Sequence, residues 1–318
     1  MALVAIIPCL NEEVSIAKTI EKIKAVKKHS TVIVIDNGSS DKTVEEAIKA
    51  GAKVLHEPKK GKGYAIRRGL NSLPKDTDAV FMVDGDNTYD VARLEEAYNL
   101  VSNRGYDLVV GVRQTEEISV LVSKEFRFGH SLGNKFLTKL FKLLFKIKIT
   151  DTLSGWRVMS KGFVDSFPGG DSEFEIEAEI NAHAHTINAS VAEIPVNYFA
   201  RDLASQSKLR TYRDGWAILR RNLRLYKSEK PTVAYNLLAL PWFGASVALI
   251  WIVLSDYFKS GLVPKFPSLI AGVGCFIIAC NLWVTGMILE KVRLQRVALA
   301  RFVYMTSNRE LISSQSDN

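Results

Sequence analysis

The sequence predicts an α/β domain with a mostly parallel sheet, followed by two membrane-spanning helices. Over the first 112 residues, short runs rich in Val and Ile alternate with amphipathic segments, a pattern typical of a parallel sheet covered by helices on both faces. Two later segments, 231–255 and 266–289, contain no charged residue. Each exceeds the roughly 18 to 20 residues that a spanning helix needs.

The elements of the first domain follow one another regularly. The predicted strands are LVAIIP, TVIVID, AKVLHE, DAVFMVD and YDLVVGV, because each is a short apolar run bounded by polar residues. The predicted helices between them are EEVSIAKTIEKIKAVKK, DKTVEEAIKAG, GYAIRRGLNSL and VARLEEAYNLVSN. Asp41 can cap the second of these helices and Gly51 can end it. Ligands of such sheets bind beyond the carboxyl ends of the strands, so the site is expected at PCLNEE, DNGSSD, DGD and GVR.

A lysine-rich amphipathic helix is predicted at about 131–149. Its apolar face consists of Phe136, Leu137, Leu140, Phe141, Leu144 and Phe145, and its opposite face of Lys135, Lys139, Lys142 and Lys146. A helix that covers a core would show a similar pattern. The Lys-only polar face, in a chain with membrane spans, favours a helix that lies in the lipid interface.

The rest of the chain leads into the membrane. A helix at 171–186 and a strand at 190–200 complete the first domain, which we place at 1–213. A basic juxtamembrane helix at 214–230 then precedes the two spans within 231–290 and a C-terminal tail at 291–318.

The charge pattern predicts a membrane orientation. The start of the chain lacks the basic region of a signal peptide, and Pro8 interrupts its apolar run. Basic residues flank the two spans on their outer ends: Arg220, Arg221, Arg224, Lys227, Lys230, Lys291, Arg293, Arg296 and Arg301. The positive-inside rule therefore predicts that both termini and the first domain are cytoplasmic.

The net charge of +8 is grouped beside the spans, which favours anionic lipid headgroups over nucleic acid as partners.

The three cysteines predict no disulfide framework. Cys9 falls in a predicted buried strand, and Cys275 and Cys280 fall inside the second span.

Asp84 and Asp86 are the first candidates for chemistry. They follow a predicted strand and are separated only by Gly85. A hard cation such as Mg²⁺ takes one or two carboxylates and completes its shell with phosphate oxygens and water. A solvated turn would also suit the motif, but its place at a strand end favours a Mg²⁺ or Mn²⁺ site.

Two further strand ends carry polar residues. Asp36 could accept hydrogen bonds from a ribose or a base. Gly61 and Gly63, with Lys60 and Lys62 beside them, stand at a predicted helix start and are typical of an anion site, although this pattern alone is unspecific.

Taken together, the motifs resemble a known family. IIPCLNEE, VIVIDNGSSDKT, GKGYAIRRG, VDGDNTYD, DTLSGWR, FEIEAE and RDLASQSKL follow one another over residues 3 to about 225. This order resembles the inverting family 2 glycosyltransferases with the Rossmann-like GT-A fold. With two trailing spans, the chain is similar to polyprenyl-phosphate glycosyltransferases, such as dolichol-phosphate mannose synthases and bactoprenol glucosyltransferases. In the membrane part the likeness extends only to the number of spans.

The resemblance implies a role for each matching position. The nucleotide-sugar donor would contact Pro8, Asn11, Glu12, Asp36, Lys62, Asp84 and Arg113, and the metal would be held by Asp84 and Asp86. The acceptor phosphate would contact Arg127, Arg157, Arg201, Ser207 and Lys208. Catalysis would fall to Asp86, Asp151, Arg201 and Lys208, with Asp151 as base or orienter and Ser154 near the sugar. Ala204 stands where relatives often have Gly, which leaves the local loop conformation open. Relatives also suggest a homodimer or homotetramer.

Several alternatives stay open at this stage. The acceptor could be another lipid or a polysaccharide, although no Gln-x-x-Arg-Trp motif of processive polymerases is present, and an inactive membrane scaffold is the non-enzymatic alternative. Glu175, Glu177 and Glu179 are expected mostly on a solvated face, although the family pattern singles out Glu177. Trp156 and Trp216 are expected in packing or at an interface. His183 and His185 are two apart on a predicted helix, so a shared metal is not expected.

Overall fold

The computed structural model describes residues 2–114, 149–168, 176–199, 227 and 230–316. The chain divides into two compact units, Met1–Gly215 with Leu299–Asn318, and Trp216–Ala298. Most of the predicted interface helix at 131–149 and of the juxtamembrane helix at 214–230 lies outside the described residues. Both helices therefore remain predictions.

A seven-stranded mixed sheet forms the centre of the first unit. Its strands are β1 (Ala2–Cys9), β2 (Thr31–Asp36), β3 (Lys53–His56), β4 (Thr77–Met82), β5 (Leu108–Gln114), β6 (Arg157–Ser160) and β7 (Val191–Asn197). They are arranged in the order β3-β2-β1-β4-β6-β5-β7. All neighbouring strands are parallel except β6, which runs antiparallel to both β4 and β5. The predicted α/β class with a mostly parallel sheet is confirmed.

Six helices lie wholly within the described part of the first unit. They are α1 (Ile16–Val26), α2 (Thr43–Lys49), α3 (Lys62–Leu70), α4 (Leu94–Ser102), α5 (Lys161–Ser166) and α6 (Ile176–Ile187). Five of them match predicted helices. The short pair β6 and α5 was not predicted, because four residues that begin with Arg carry little strand signal.

Both faces of the sheet are covered by apolar side chains. Along β1, Leu3, Ala5 and Ile7 pack with α1, α2 and α4, whereas Val4 and Ile6 pack with α3, α5 and α6. Successive strand residues point to opposite faces. A strand that is buried on both faces must therefore be apolar throughout, which explains the continuous run in β1.

The second unit contains two long apolar helices, α7 (Pro231–Ser260) and α8 (Phe266–Ser316). Their mean hydropathies reach 2.2 and 1.9, and both are long and apolar enough to cross a membrane. Gly261, with φ 67°, ends α7 in the left-handed conformation that glycine adopts without strain. The last part of α8, from Leu299, belongs to the first unit, where the Tyr304 hydroxyl donates to Asp107 Oδ1 at 2.8 Å.

Candidate active site

The polar strand ends meet at one edge of the sheet. Cys9 and Asp36 are register partners at the ends of β1 and β2, and the amide of Asn37 donates to the Cys9 carbonyl at 3.0 Å. β4 and β5 run in the same direction as β1 and β7, respectively. The segments that follow these strands carry most of the predicted donor residues, as expected for a parallel sheet.

Asn11 and Glu12 join the loop after β1 to the loop after β2. Asn11 has a positive φ of 59°, and its side-chain oxygen accepts from the Ser40 amide at 2.8 Å. The Glu12 amide donates to Thr43 Oγ1 at 2.7 Å. Pro8 lies half-buried near the end of β1. These donor residues of the sequence prediction thus stand at the predicted edge, where two of them also fix the loops.

Asp36 is buried and surrounded by donors. Its carboxylate accepts from the amides of Ser39 at 2.9 Å and Gly38 at 3.3 Å, and His56 Nδ1 lies 3.0 Å from Oδ2. Burial alone would raise the pKa of Asp36, but the hydrogen bonds from Ser39, His56 and Gly38 outweigh it and lower the pKa. His56 was not among the predicted site residues, and its only signal in the sequence is its place at a strand end.

Asn37 fixes the start of α3. Its side-chain amide donates to the carbonyls of Glu57 and Lys59 at 3.0 and 2.7 Å, and its oxygen accepts from the Gly61 amide at 2.7 Å. Lys62, the first residue of α3, is thereby held beside the end of β4.

Lys62 lies between two carboxylates. Its Nζ is 2.5 Å from Asp84 Oδ1 and 2.6 Å from Glu177 Oε1. Desolvation would lower the pKa of Lys62, but the two carboxylates outweigh this effect and raise it. The side chain of Glu177 is only 6% exposed, and Glu179 forms an ion pair with Arg67. The expectation of a solvated acidic face is therefore wrong for Glu177 and Glu179, because α6 packs beside α3.

Asp84 and Asp86 stand at the end of β4 as predicted. Asp84 contacts Gly155 so closely that a Cβ added there would lie 2.5 Å from Oδ2. Asp86 Oδ1 accepts from the Thr88 amide at 3.2 Å and from its hydroxyl at 2.6 Å.

The donor set at this strand end fits a hard divalent cation. Within the described part of the chain, no group of three or more His, Cys, Asp or Glu side chains could hold a metal. Mg²⁺ and Mn²⁺ do not need such a group, since Mg²⁺ is held by one or two carboxylates and completed by substrate phosphates and water. Asp84 and Asp86 are the residues that could hold it.

Arg113 and Asp151 form a two-pronged ion pair. Nε and Nη2 of Arg113 lie 2.7 and 2.8 Å from the two carboxylate oxygens, and the guanidinium stacks 5.4 Å from the centre of the Tyr198 ring. Burial would raise the pKa of Asp151, but the hydrogen bonds and charge of Arg113 lower it. A carboxylate with a lowered pKa is a weak base.

Arg157 lies in the interior, with no exposed surface. Its guanidinium donates to the carbonyls of Ser154 and Thr152 and to Asn181 Oδ1, at 2.9, 3.2 and 2.5 Å. Burial lowers its pKa to about 10. The predicted contact with the acceptor phosphate does not fit this position. Arg157 instead holds the loop 151–157 against α6.

The remaining described candidates also have clear positions. Trp156 is fully buried and packs edge-to-face on Phe81, with ring centres 5.0 Å apart, which confirms the packing interpretation. His183 is buried beside Ser166, whereas His185 is exposed, so the two histidines do not share a site. Arg127, Arg201, Ser207 and Lys208 lie outside the described residues, and their predicted contacts remain predictions.

A protein-family model, "Glycosyl transferase family 2", matches residues 4–167, which is just over half of the chain and includes β1 to α5. The chain belongs to glycosyl transferase family 2. The matched span contains the ends of β1, β2, β4 and β5 and the loop 151–157, whereas Glu177 and the rest of α6 lie beyond it.

Two curated relatives come from Haloferax volcanii. Low-salt glycan biosynthesis hexosyltransferase Agl6 is 30% identical over 76% of this chain, which spans 56% of that relative's length. A dolichyl-phosphate hexose transferase is 28% identical over 65% of this chain and 86% of its own length.

Among solved structures, glucosyl-3-phosphoglycerate synthase from Mycobacterium tuberculosis, in complex with Mn²⁺, UDP-glucose and phosphoglyceric acid, aligns with a TM-score of 0.52. It is 22% identical and covers 71% of this chain and 79% of that chain. This likeness shows that the fold is of the GT-A type.

Proposed function

We propose that this family 2 glycosyltransferase is anchored in a membrane by α7 and α8. It would transfer a sugar from a UDP- or GDP-sugar to a polyprenyl phosphate, undecaprenyl or dolichyl phosphate, at the cytoplasmic leaflet. The observation that carries this proposal is the presence of two ion pairs, Lys62–Asp84 and Arg113–Asp151, beside the ends of β4 and β5, in a chain with two helices that could cross a membrane. The similarity to a dolichyl-phosphate hexose transferase supports this acceptor.

The leaving group of this reaction is a nucleoside diphosphate. A divalent cation held by Asp84 and Asp86 would supply electrostatic stabilisation of the charge on that diphosphate. Lys62 and Arg113 place two further positive charges near the same strand ends. Fixed charges aimed at the developing negative charge lower the barrier without reorganisation of water.

The acceptor is already an anion. A phosphate monoester has a second pKa near 6 and is mostly dianionic at neutral pH, so it needs no strong base. This agrees with an Asp151 whose pKa is lowered by Arg113. Attack from the side opposite the diphosphate would invert the anomeric carbon. Arg201, Ser207 and Lys208 are proposed to hold the acceptor phosphate, since Arg grips phosphate at two points and Lys adds a point charge.

The experiment uses membranes that contain the full chain. They are incubated with radiolabelled UDP- and GDP-sugars and with polyprenyl phosphate, and the label in the organic phase is counted. We expect one donor to label the lipid, with loss of the signal in the Asp84→Asn variant. Label that enters only a polysaccharide would point to the alternative acceptor. The absence of label with every donor would contradict the proposal.

A further inference from the structure

Lys62 is shared by carboxylates from two different elements. Asp84 follows β4, whereas Glu177 is the second residue of α6, and both lie within 2.6 Å of the same ammonium. The exposures of the three side chains differ: Lys62 is 38% exposed and Asp84 28%, but Glu177 only 6%. Glu177 is therefore the fixed member of the group, and Lys62 has room to shift.

Asp84 cannot pair with the Lys62 ammonium and bind a divalent cation equally well at the same time. Two positive charges on one carboxylate repel each other, so Lys62 must withdraw from Asp84 when this carboxylate binds a divalent ion. A Lys ammonium in this partly enclosed place needs another partner, because an ion that loses its countercharge away from water is costly. Glu177 is already in contact with the ammonium and can keep it paired.

We infer that Glu177 is a positioning residue that retains the Lys62 ammonium and thereby frees Asp84 for a divalent cation. The inference rests on the metal site of the proposed function. It goes further by assigning a role to a side chain outside the matched family span. With Glu177 in place, Lys62 also remains at the strand ends, where a phosphate oxygen of the donor can become its second partner.

The experiment measures Mn²⁺ binding rather than transfer. The purified full chain in detergent is titrated with Mn²⁺ alone, and free Mn²⁺ is followed by electron paramagnetic resonance, with Asp84→Asn as the reference for unspecific binding. In Glu177→Gln, Asp84 is the one charged partner that Lys62 keeps among the described residues. We expect the dissociation constant for Mn²⁺ at this site to rise about ten-fold.

A second substitution separates this role from a structural one. Removal of the ammonium in Lys62→Met/Glu177→Gln should restore Mn²⁺ binding to within about two-fold of the parent, because the Lys62 ammonium then no longer competes for Asp84. Damage to the fold by Glu177→Gln would not be repaired in this way. If Glu177→Gln does not fold, Lys62→Met and Glu177→Asp decide. Lys62→Met should bind Mn²⁺ at least as tightly as the parent, and Glu177→Asp should bind Mn²⁺ like the parent.

Glu179→Gln is the matched control, since it breaks the neighbouring ion pair between α6 and α3 without a contact to Asp84. It should bind Mn²⁺ like the parent. The inference is overturned if Glu177→Gln binds Mn²⁺ normally or if Lys62→Met/Glu177→Gln fails to restore binding. Mn²⁺ binding requires no sugar, so a chain with the expected pattern but no transfer activity would refute the proposed function and leave the role of Glu177 standing.

Discussion

At the residue scale, the Arg113–Asp151 pair separates two accounts of catalysis. In Asp151→Asn the shape is kept, but Arg113 loses the charge that orients it. We expect transfer to fall about ten- to hundred-fold, because small misplacements of a catalytic group are expensive. The measurement is the rate against pH. If Asp151 only orients Arg113, the acidic limb of the pH–rate profile in Asp151→Asn should stay near about 6, the second pKa of the acceptor phosphate. If Asp151 is the general base, the substitution should remove or shift that limb.

His183 predicts a pH dependence of stability. Burial lowers its pKa to about 4 from an ordinary 6.5. Below pH 6.5 the unfolded chain therefore binds a proton at His183, whereas the folded chain does not bind it until the pH approaches 4. The contribution of neutral His183 to the free energy of unfolding is complete above pH 6.5. This contribution decreases by roughly 3 kcal/mol in all as the pH falls towards 4.

The measurement for His183 is thermal unfolding of the full chain between pH 7 and 4. His183→Gln, which keeps a partner for Ser166, should lose less stability over this range than the parent. His185→Gln on the exposed side of α6 is the control and should follow the parent curve. Equal pH dependence in all three proteins would refute the buried neutral state.

At the element scale, the loop 151–157 packs against Asp84. The backbone of Gly155 leaves room for the Asp84 carboxylate, and a Cβ in Gly155→Ala would lie 2.5 Å from its oxygen. We expect Asp84 to move and Mn²⁺ binding to weaken about ten-fold. The free energy of unfolding should change by only about 1 kcal/mol. Gly244→Ala in α7, where a Cβ meets nothing within 4 Å, should keep parental binding. A Gly155→Ala variant that also binds Mn²⁺ normally would remove this loop from the site.

The elements also show how far the sequence could lead. β1 to β5 were predictable because each is a short apolar run that ends in polar residues, and this pattern also located Asp36, Asp84 and Asp86. Glu177 was misplaced because a Glu-x-Glu helix is typical of a solvated face. Its partner Lys62 comes from a distant part of the chain, and only the packing of α6 beside α3 brings them together. The burial of Arg157 was unpredictable for the same reason.

At the scale of the whole molecule, the basic residues around the spans predict that both ends of the chain are cytoplasmic. Fusion of a green fluorescent protein after residue 318 should fluoresce, and fusion of alkaline phosphatase at the same place should be inactive. With the fusions placed in the short linker after Gly261, the results should be reversed. Active phosphatase at residue 318 would invert the proposed orientation and separate the first unit from cytoplasmic nucleotide sugars.

We propose that sugar transfer to a polyprenyl phosphate requires a divalent cation held by Asp84 and Asp86. The most direct test of this requirement is the initial transfer rate of the purified full chain as Mn²⁺ is removed by a chelator and then returned. We expect transfer to stop when Mn²⁺ is removed, to recover with Mn²⁺ or Mg²⁺, and to be absent from Asp84→Asn at every metal concentration. Transfer that persists in the chelator, or that survives in Asp84→Asn at the parental rate, would contradict this requirement.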